Sequence, residues 1–373
     1  MVTSQLSKIL PIIYAIIGFG ALILVHEFGH FIFCKIFGID TPTFSIGMGP
    51  KIFQKKIGNT NFRISAIPIG GYVEIAGMQE VGQGEQKQAK DEGKRSFSSK
   101  PYWQKFLVLT GGVGFNLLFA YVALIALFLV GAPTKPEILI KSIVEGSPAA
   151  QAGLMTEDRI LRIDDSEIEK EPELLGKIIK KIQNPTTKEI TFVVYRNGSI
   201  KEMKVSLPSI EATNKKEEIS SEGKPRLGVQ FDFGFSDQRE KLPFIAAVKK
   251  GIITTNGYIK QTAFMLKELF KRRSLKGVGG PVLILSESAK YAKQGMVYLL
   301  IFLAIISISL AFMNLLPLPV LDGGQLVFVT IESIIGREIP MSIKNAIHLA
   351  SIALLLGLVL YVTYNDILHL MKK

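Results

Sequence analysis

Four stretches of this chain carry apolar residues with almost no charge among them: 9–37, 105–134, 296–316 and 347–365. Residues 9–25, 106–134 and 294–321 contain no charged side chain at all. At about 1.5 Å of rise per helical residue, each stretch can cross about 30 Å of hydrocarbon. The pattern therefore predicts a polytopic α-helical membrane protein with four transmembrane helices. A signal peptide is the competing reading of the first stretch, since Lys8 precedes it. No small-residue cleavage site follows, so a retained anchor is expected.

The segments between the spans have other periods. In 38–104 apolar and polar residues alternate around Thr43, Phe44, Ser45 and Ile46, then around Phe62, Arg63, Ile64 and Ser65, with Gly58-Asn59 as a turn. That is the signature of a β-hairpin. Pro68-Ile69-Gly70-Gly71-Tyr72-Val73-Glu74-Ile75 follows as a further extended piece. A small soluble hairpin would give the same pattern. Residues 79–100 are polar and read as a lid or linker. Residues 135–210 are mixed in composition and read as one inserted soluble domain, closed by a hairpin around Asn197-Gly198. The segment 211–295 begins with a charged stretch, 214–222, expected to be flexible. A linker strand follows at 227–231. In 242–270 apolar residues recur at helical spacing between Lys249, Lys250, Lys260 and Lys267, which predicts an amphipathic helix lying on the membrane surface.

Composition narrows the picture only a little. The 373 residues are 48% hydrophobic and carry a net charge of +12. Because the basic residues are spread over the loops beside the apolar spans and no nucleic-acid motif accompanies them, the lipid bilayer is the expected partner and nucleic acid is not. The single cysteine, Cys34, excludes an intramolecular disulfide, and its apolar surroundings make it a poor nucleophile.

The candidate chemistry sits inside the first span, at His26-Glu27-Phe28-Gly29-His30. This is an H-E-x-x-H pattern. On a helix His26 and His30 share one face and can reach one metal ion, while Glu27 can serve as general base on a water there. A chance match is the bland reading, but ionisable groups are costly in an apolar span and are rarely kept there without a role. A catalytic zinc normally takes a third protein ligand. Asp322 is the best candidate, closing the second charge-free run in Asn314-Leu315-Leu316-Pro317-Leu318-Pro319-Val320-Leu321-Asp322-Gly323-Gly324, where two prolines stop the helix. A solvated aspartate at an ordinary helix end remains the alternative. His348 and His369 flank the fourth span, and interfacial placement accounts for both.

H-E-x-x-H in a first span, with N-x-x-P-x-P-x-L-D-G-G in a later one, closely resembles the site-2 protease family of intramembrane zinc metalloproteases, nearest its bacterial RseP-like branch. The resemblance runs along nearly the whole chain. It implies that His26, His30 and Asp322 hold Zn2+, that Glu27 is the catalytic base, and that Asn314 helps to hold the substrate or its oxyanion. The family has a similar F-S-I-G-x-G-P and P-x-G-G-Y-V pair, understood as a membrane-associated β element beside the active site. Gly70, Gly71, Tyr72, Val73 and Glu74 are the expected substrate-binding strand. Asn116 matches the end of the family's G-P-x-x-N motif, although Val113 replaces the proline. It is a candidate for the same substrate-binding group, with plain helix packing as the alternative. The stretch from Val144 to Asp164 resembles a bacterial protease-type PDZ domain, either a peptide binder or a steric gate.

Lys and Arg in 38–104 place that loop in the cytoplasm by the positive-inside rule, and hence the PDZ-like domain outside it. The expected location is a bacterial inner membrane. Two classes of function fit. One is a zinc metalloendopeptidase acting in regulated intramembrane proteolysis, whose substrates the resemblance implies are single-span membrane proteins of the anti-sigma-factor type and remnant signal peptides. The other is a non-catalytic PDZ-bearing scaffold with a structural metal site. A scaffold has no use for Glu27, and a structural site would be closed by a fourth His or Cys.

Overall fold

A computed structural model describes residues 2–78, 93–133, 136–167, 188–207, 227–235, 239–272 and 279–371. Most of the expected lid (79–92), the charged stretch 214–222 and the middle of the inserted domain lie outside the described residues. Two units are distinguished: one formed by Met1–Leu124 and Lys267–Lys373, the other by Ile125–Leu266.

Among the described residues, four helices are long and apolar enough to cross a membrane: Ile9–Ile36, Tyr102–Val130, Met296–Asn314 and Met341–Leu368. They belong to α1 (Val2–Ile36), α2 (Tyr102–Val130), α6 (Met296–Asn314) and α8 (Met341–Met371). Where helices meet, small residues let the backbones approach, as is usual when apolar burial alone gives lipid-embedded helices no preference for one another. Gly29 of α1 and Gly111 of α2 face each other so closely that a Cβ on Gly29 would lie 2.3 Å from the Gly111 carbonyl oxygen. On another face of α1, Leu22 is fully buried against Leu299 and Leu303 of α6. Val113 is buried within an unbroken α2, so the proline missing from the motif leaves no break in the helix.

Between α1 and α2 lies the hairpin of β1 (Thr43–Ile57) and β2 (Thr60–Val73). Its outer halves, 51–57 and 60–65, pair antiparallel around the Gly58 turn. Residues 44–46 also pair with 71–73, so the last part of β2 folds back along the start of β1. The root of this sheet is anchored by Phe44 and Val73, which pack with Cys34, Ile39, Val108 and Leu109 from the ends of α1 and α2. The outer halves instead expose Ile52, Phe53, Ile57 and Ile64.

Two helices were not legible in the sequence. The first, α5 (Pro281–Gln294), precedes α6 and packs along α1. The second, α7 (Asp322–Ile335), starts at the candidate ligand itself. Gly323 and Gly324 are required at that start. A Cβ on either would come within 2.4 Å of main-chain atoms of Leu315 or Leu318, so only glycine lets the helix lie on the Pro317–Pro319 turn.

In the second unit the strands run in the order β8 (Ser199–Ser206), β7 (Glu189–Arg196), β5 (Arg159–Ile163), β4 (Pro136–Ile143), β9 (Val229–Phe235), with β6 (Ser166–Glu167) on β5. Alternate residues of these strands, among them Ile138, Ile140, Ile160, Phe192, Val194 and Val205, form one apolar core. Both Asn197 (φ 49°) and Gly198 (φ 83°) are left-handed, as a two-residue hairpin turn demands. A short helix, α3 (Pro148–Gln151), is capped by the Ser147 hydroxyl, which accepts from the Ala150 amide at 3.3 Å. One expectation is corrected. The strand expected as a linker beyond residue 210 pairs with β4 from Val229 to Phe235, so it is a member of this sheet. The amphipathic segment forms one helix, α4 (Phe244–Arg272). Two short strands, β3 (Ala132–Pro133) and β10 (Arg239–Glu240), pair with each other.

Candidate active site

The helical spacing of the first motif puts both imidazoles on the face of α1 that looks toward α2 and the start of α7. His26 Nε2 lies 3.2 Å from Asp322 Oδ2, His30 Nε2 lies 3.4 Å from the same oxygen, and the two Nε2 atoms are 3.3 Å apart. These three residues are the potential metal-ligand cluster found among the described residues. A tetrahedral zinc ion bound at about 2.0–2.1 Å spaces its ligand atoms about 3.3–3.4 Å apart. The observed triangle has that size. Asp322 Oδ2 is also buried without a hydrogen-bond donor, a costly state for an oxygen that holds no cation. Two imidazoles and a carboxylate are an ordinary donor set for zinc, and three protein ligands leave a position open for chemistry.

Glu27 is half-buried beside this cluster. Its Oε2 accepts a hydrogen bond from the Val73 amide at 3.2 Å, so the end of β2 reaches this carboxylate directly. The Glu74 amide, next along, donates to the Thr43 carbonyl at 2.9 Å. Alternation along a strand then turns the main-chain groups of Tyr72 and Glu74 toward β1 and those of Gly71 and Val73 away from it. Among the described residues no further strand pairs on that outer side. Gly71 is needed here: a Cβ would sit 2.8 Å from the Ser45 carbonyl oxygen, and 3.8 Å from Glu27 Cγ. Gly70 has φ +92° and lies against Met48.

Tyr72 presents its hydroxyl to Arg63, which donates at 3.0 Å. Glu74, expected to bind substrate, is only 2% exposed, and its amide is spent on Thr43. It is a buried residue at the foot of the strand and offers nothing at the open edge.

Asn314, at the end of α6, places Nδ2 3.3 Å from His26 Nε2 and 3.5 Å from its Nδ1. Asn116 is different. It is fully buried and places Nδ2 3.2 Å from His26 Nδ1. Expected among the substrate-binding residues, it lies at an inward-facing position of α2, beside the His26 ring.

Sequence reading missed three contributors. The Val108 carbonyl lies 2.8 Å from His30 Nδ1. Ser307 of α6 donates to the Asn116 main-chain oxygen at 2.9 Å. Gly112 lies against both rings: a Cβ there would be 2.5 Å from His26 Cε1 and from His30 Nε2. The Gly111-Gly112 pair was the available signal, one glycine for the helix crossing and one for the imidazoles.

Comparison with known proteins agrees with this geometry. The model of peptidase family M50 matches residues 14–358. Three relatives, each named "Putative zinc metalloprotease", come from Clostridium perfringens, Fusobacterium nucleatum and Helicobacter pylori. The first is 33% identical over 96% of this chain and 98% of its own. The second is 33% identical over 95% and 97%, and the third 31% over 96% and 99%. With the family match spanning nearly the whole chain and its two signature motifs meeting at one cluster, this membrane protein belongs to peptidase family M50, the site-2 metalloproteases.

Proposed function

We propose that the chain is an intramembrane zinc endopeptidase that hydrolyses peptide bonds in or beside the transmembrane segments of other membrane proteins. The observation that carries this reading is the His26, His30 and Asp322 triangle with Glu27 at its side, built on apolar membrane-spanning helices. Zinc held by these three residues would polarise the scissile carbonyl and lower the pKa of its water to about 7. Glu27 takes the proton from the attacking water and delivers it to the leaving amine. Asn314, beside the ligand face, donates a hydrogen bond to the carbonyl oxygen as charge builds there.

A helix whose carbonyls are locked in its own hydrogen bonds cannot be cut, so the substrate must unwind locally. Each main-chain group left unpaired in a site poor in water costs several kcal/mol. The outward edge at Gly71 and Val73 supports a role for this strand in pairing with the unwound segment by strand addition. The substrates proposed are single-span proteins of the anti-sigma-factor type and remnant signal peptides, in a bacterial inner membrane. The inserted β unit is read as a PDZ domain on the extracytoplasmic side, acting as peptide binder or gate.

The deciding experiment compares purified Glu27→Gln with wild type. The variant should retain about one zinc per chain, while cleavage of a model helical membrane substrate falls by at least about 100-fold. Cleavage at a near wild-type rate would overturn the mechanism.

A further inference from the structure

Both imidazoles of the cluster show one nitrogen to Asp322 and the other to α2. His30 turns Nδ1 to the Val108 carbonyl at 2.8 Å, and a carbonyl can only accept. His30 therefore carries its hydrogen on Nδ1 and leaves Nε2 bare for a cation. His26 faces the same demand, because its Nε2 is the atom near Asp322 and near His30 Nε2. Its Nδ1 must then carry a hydrogen and needs an acceptor.

Asn116 is in place to supply it. The side-chain nitrogen lies 3.2 Å from His26 Nδ1, while its oxygen is buried without any partner. Amide nitrogen and oxygen are interchangeable by a half-turn of the group, and the hydrogen-bond network decides between them. Two donors cannot face each other, so an Nδ1–H on His26 requires the Asn116 oxygen on that side. Among the described residues the other side-chain amide beside this ring is Asn314, and it lies closer to Nε2 than to Nδ1, at 3.3 and 3.5 Å. Residues 108, 112 and 116 fall on one face of α2 at i, i+4 and i+8. That face offers an acceptor, a gap left by glycine for the two rings, and a second acceptor.

We infer that Asn116 is a positioning residue: its side-chain oxygen accepts the Nδ1 hydrogen of His26, fixing the tautomer and ring plane that present Nε2 to the metal. The inference rests on the metalloprotease reading above. It also separates the two histidines. The acceptor for His30 is main chain and survives any substitution at Val108, whereas the acceptor for His26 is a side chain that one substitution removes. Ser307 holds the main chain of Asn116 from the other side, at 2.9 Å.

The test is zinc affinity, measured on detergent-purified full-length protein by competition with a chelator, beside KM and kcat. Asn116→Leu keeps the size and loses the acceptor, and should weaken zinc binding by about 10–100-fold. Asn116→Asp keeps an acceptor and should stay within about 3-fold of wild type, since the hydrogen bond is preserved. Unchanged zinc affinity in Asn116→Leu, with KM raised instead, would overturn the inference in favour of a substrate contact. Equal losses in both variants would overturn it in favour of simple packing. Should Asn116→Leu not fold, wild type decides: the nitrogen spectrum of zinc-loaded, 15N-histidine-labelled protein should show His26 protonated at Nδ1. Metal on Nδ1 would refute the assignment. Failure of the parent reading looks different: wild type would then bind no zinc, or bind it and cleave no membrane substrate.

Discussion

Val73 donates its main-chain N–H to Glu27 Oε2 across 3.2 Å, joining the last residue of the edge strand to the proposed base. Gly71, two residues earlier, turns its main-chain groups to the same side but has no such bond to Glu27. The two positions should therefore fail differently. Val73→Pro removes the donor that steadies Glu27, so kcat should fall by about 10-fold or more on every substrate. Gly71→Pro removes an edge donor and crowds the Ser45 carbonyl, but leaves the Val73–Glu27 bond in place. It should slow an intact helical substrate more than one already loosened by helix breakers. Steady-state rates on the paired substrates check this, and identical losses for both variants on both substrates would refute the division of labour.

Gly112 and Gly114 are two residues apart on α2 with opposite surroundings. A Cβ at 112 would strike both imidazoles at 2.5 Å, whereas one at 114 meets nothing within 4 Å. Gly112→Ala is expected to lower zinc affinity by at least about 10-fold, through displacement of ligands whose geometry is tight. Gly114→Ala should leave zinc and activity alone and stabilise the helix slightly, by about 0.5–1 kcal/mol. Zinc content and thermal unfolding of the two variants read both effects.

In the inserted unit, Asp158 is 1% exposed and holds Arg196 through two bonds of 2.6 Å, while its Oδ2 also accepts from the Met155 amide at 2.9 Å. Arg196 in turn donates to the Gly153 carbonyl at 2.8 Å. Hydrogen bonding to Asp158 pushes the Arg196 pKa above its ordinary value, so the guanidinium stays charged at any working pH. Removing one partner strands the other. Asp158→Ala should destabilise this unit by about 3–5 kcal/mol. Hydrogen exchange on the full chain should show β5 and β7 losing protection while the amides of α1 and α6 keep theirs.

The spans and the ligand-bearing motifs were legible because charge inside an apolar run is conspicuous by itself. His26, Glu27 and His30 follow from helical spacing, and Asp322 from its place at the end of a run broken by two prolines. What was not legible depends on which way a residue faces. Asn116 and Glu74 look in sequence like polar groups offered to a substrate, yet both are buried, one beside a histidine and one at the foot of the strand. The strand at 229–235 was separated from its sheet because the long charged stretch before it hides a pairing that only tertiary contact defines. α7 was missed because the two prolines and the glycines after Asp322 mark the end of a helix, when those glycines are there to let a new one start tightly against a turn.

Asp366 gives the last expectation. It belongs to α8, is 3% exposed, and accepts from the Gly280 amide at 3.0 Å and the Leu283 amide at 2.9 Å. Those amides open α5, whose own N-cap residue is a glycine with no side chain to offer. The cap is thus supplied by another helix, and it satisfies donors that would otherwise be buried unpaired. Gly280 has to be glycine, since a Cβ would lie 2.7 Å from Asp366 Oδ2. Asp366→Ala should cost about 1–2 kcal/mol and loosen α5, which packs along the helix carrying His26 and His30. Asp366→Asn retains one good acceptor and should lose less than half of that. Thermal unfolding in detergent orders the three proteins, and an alanine variant as stable as wild type would show that the cap contributes nothing.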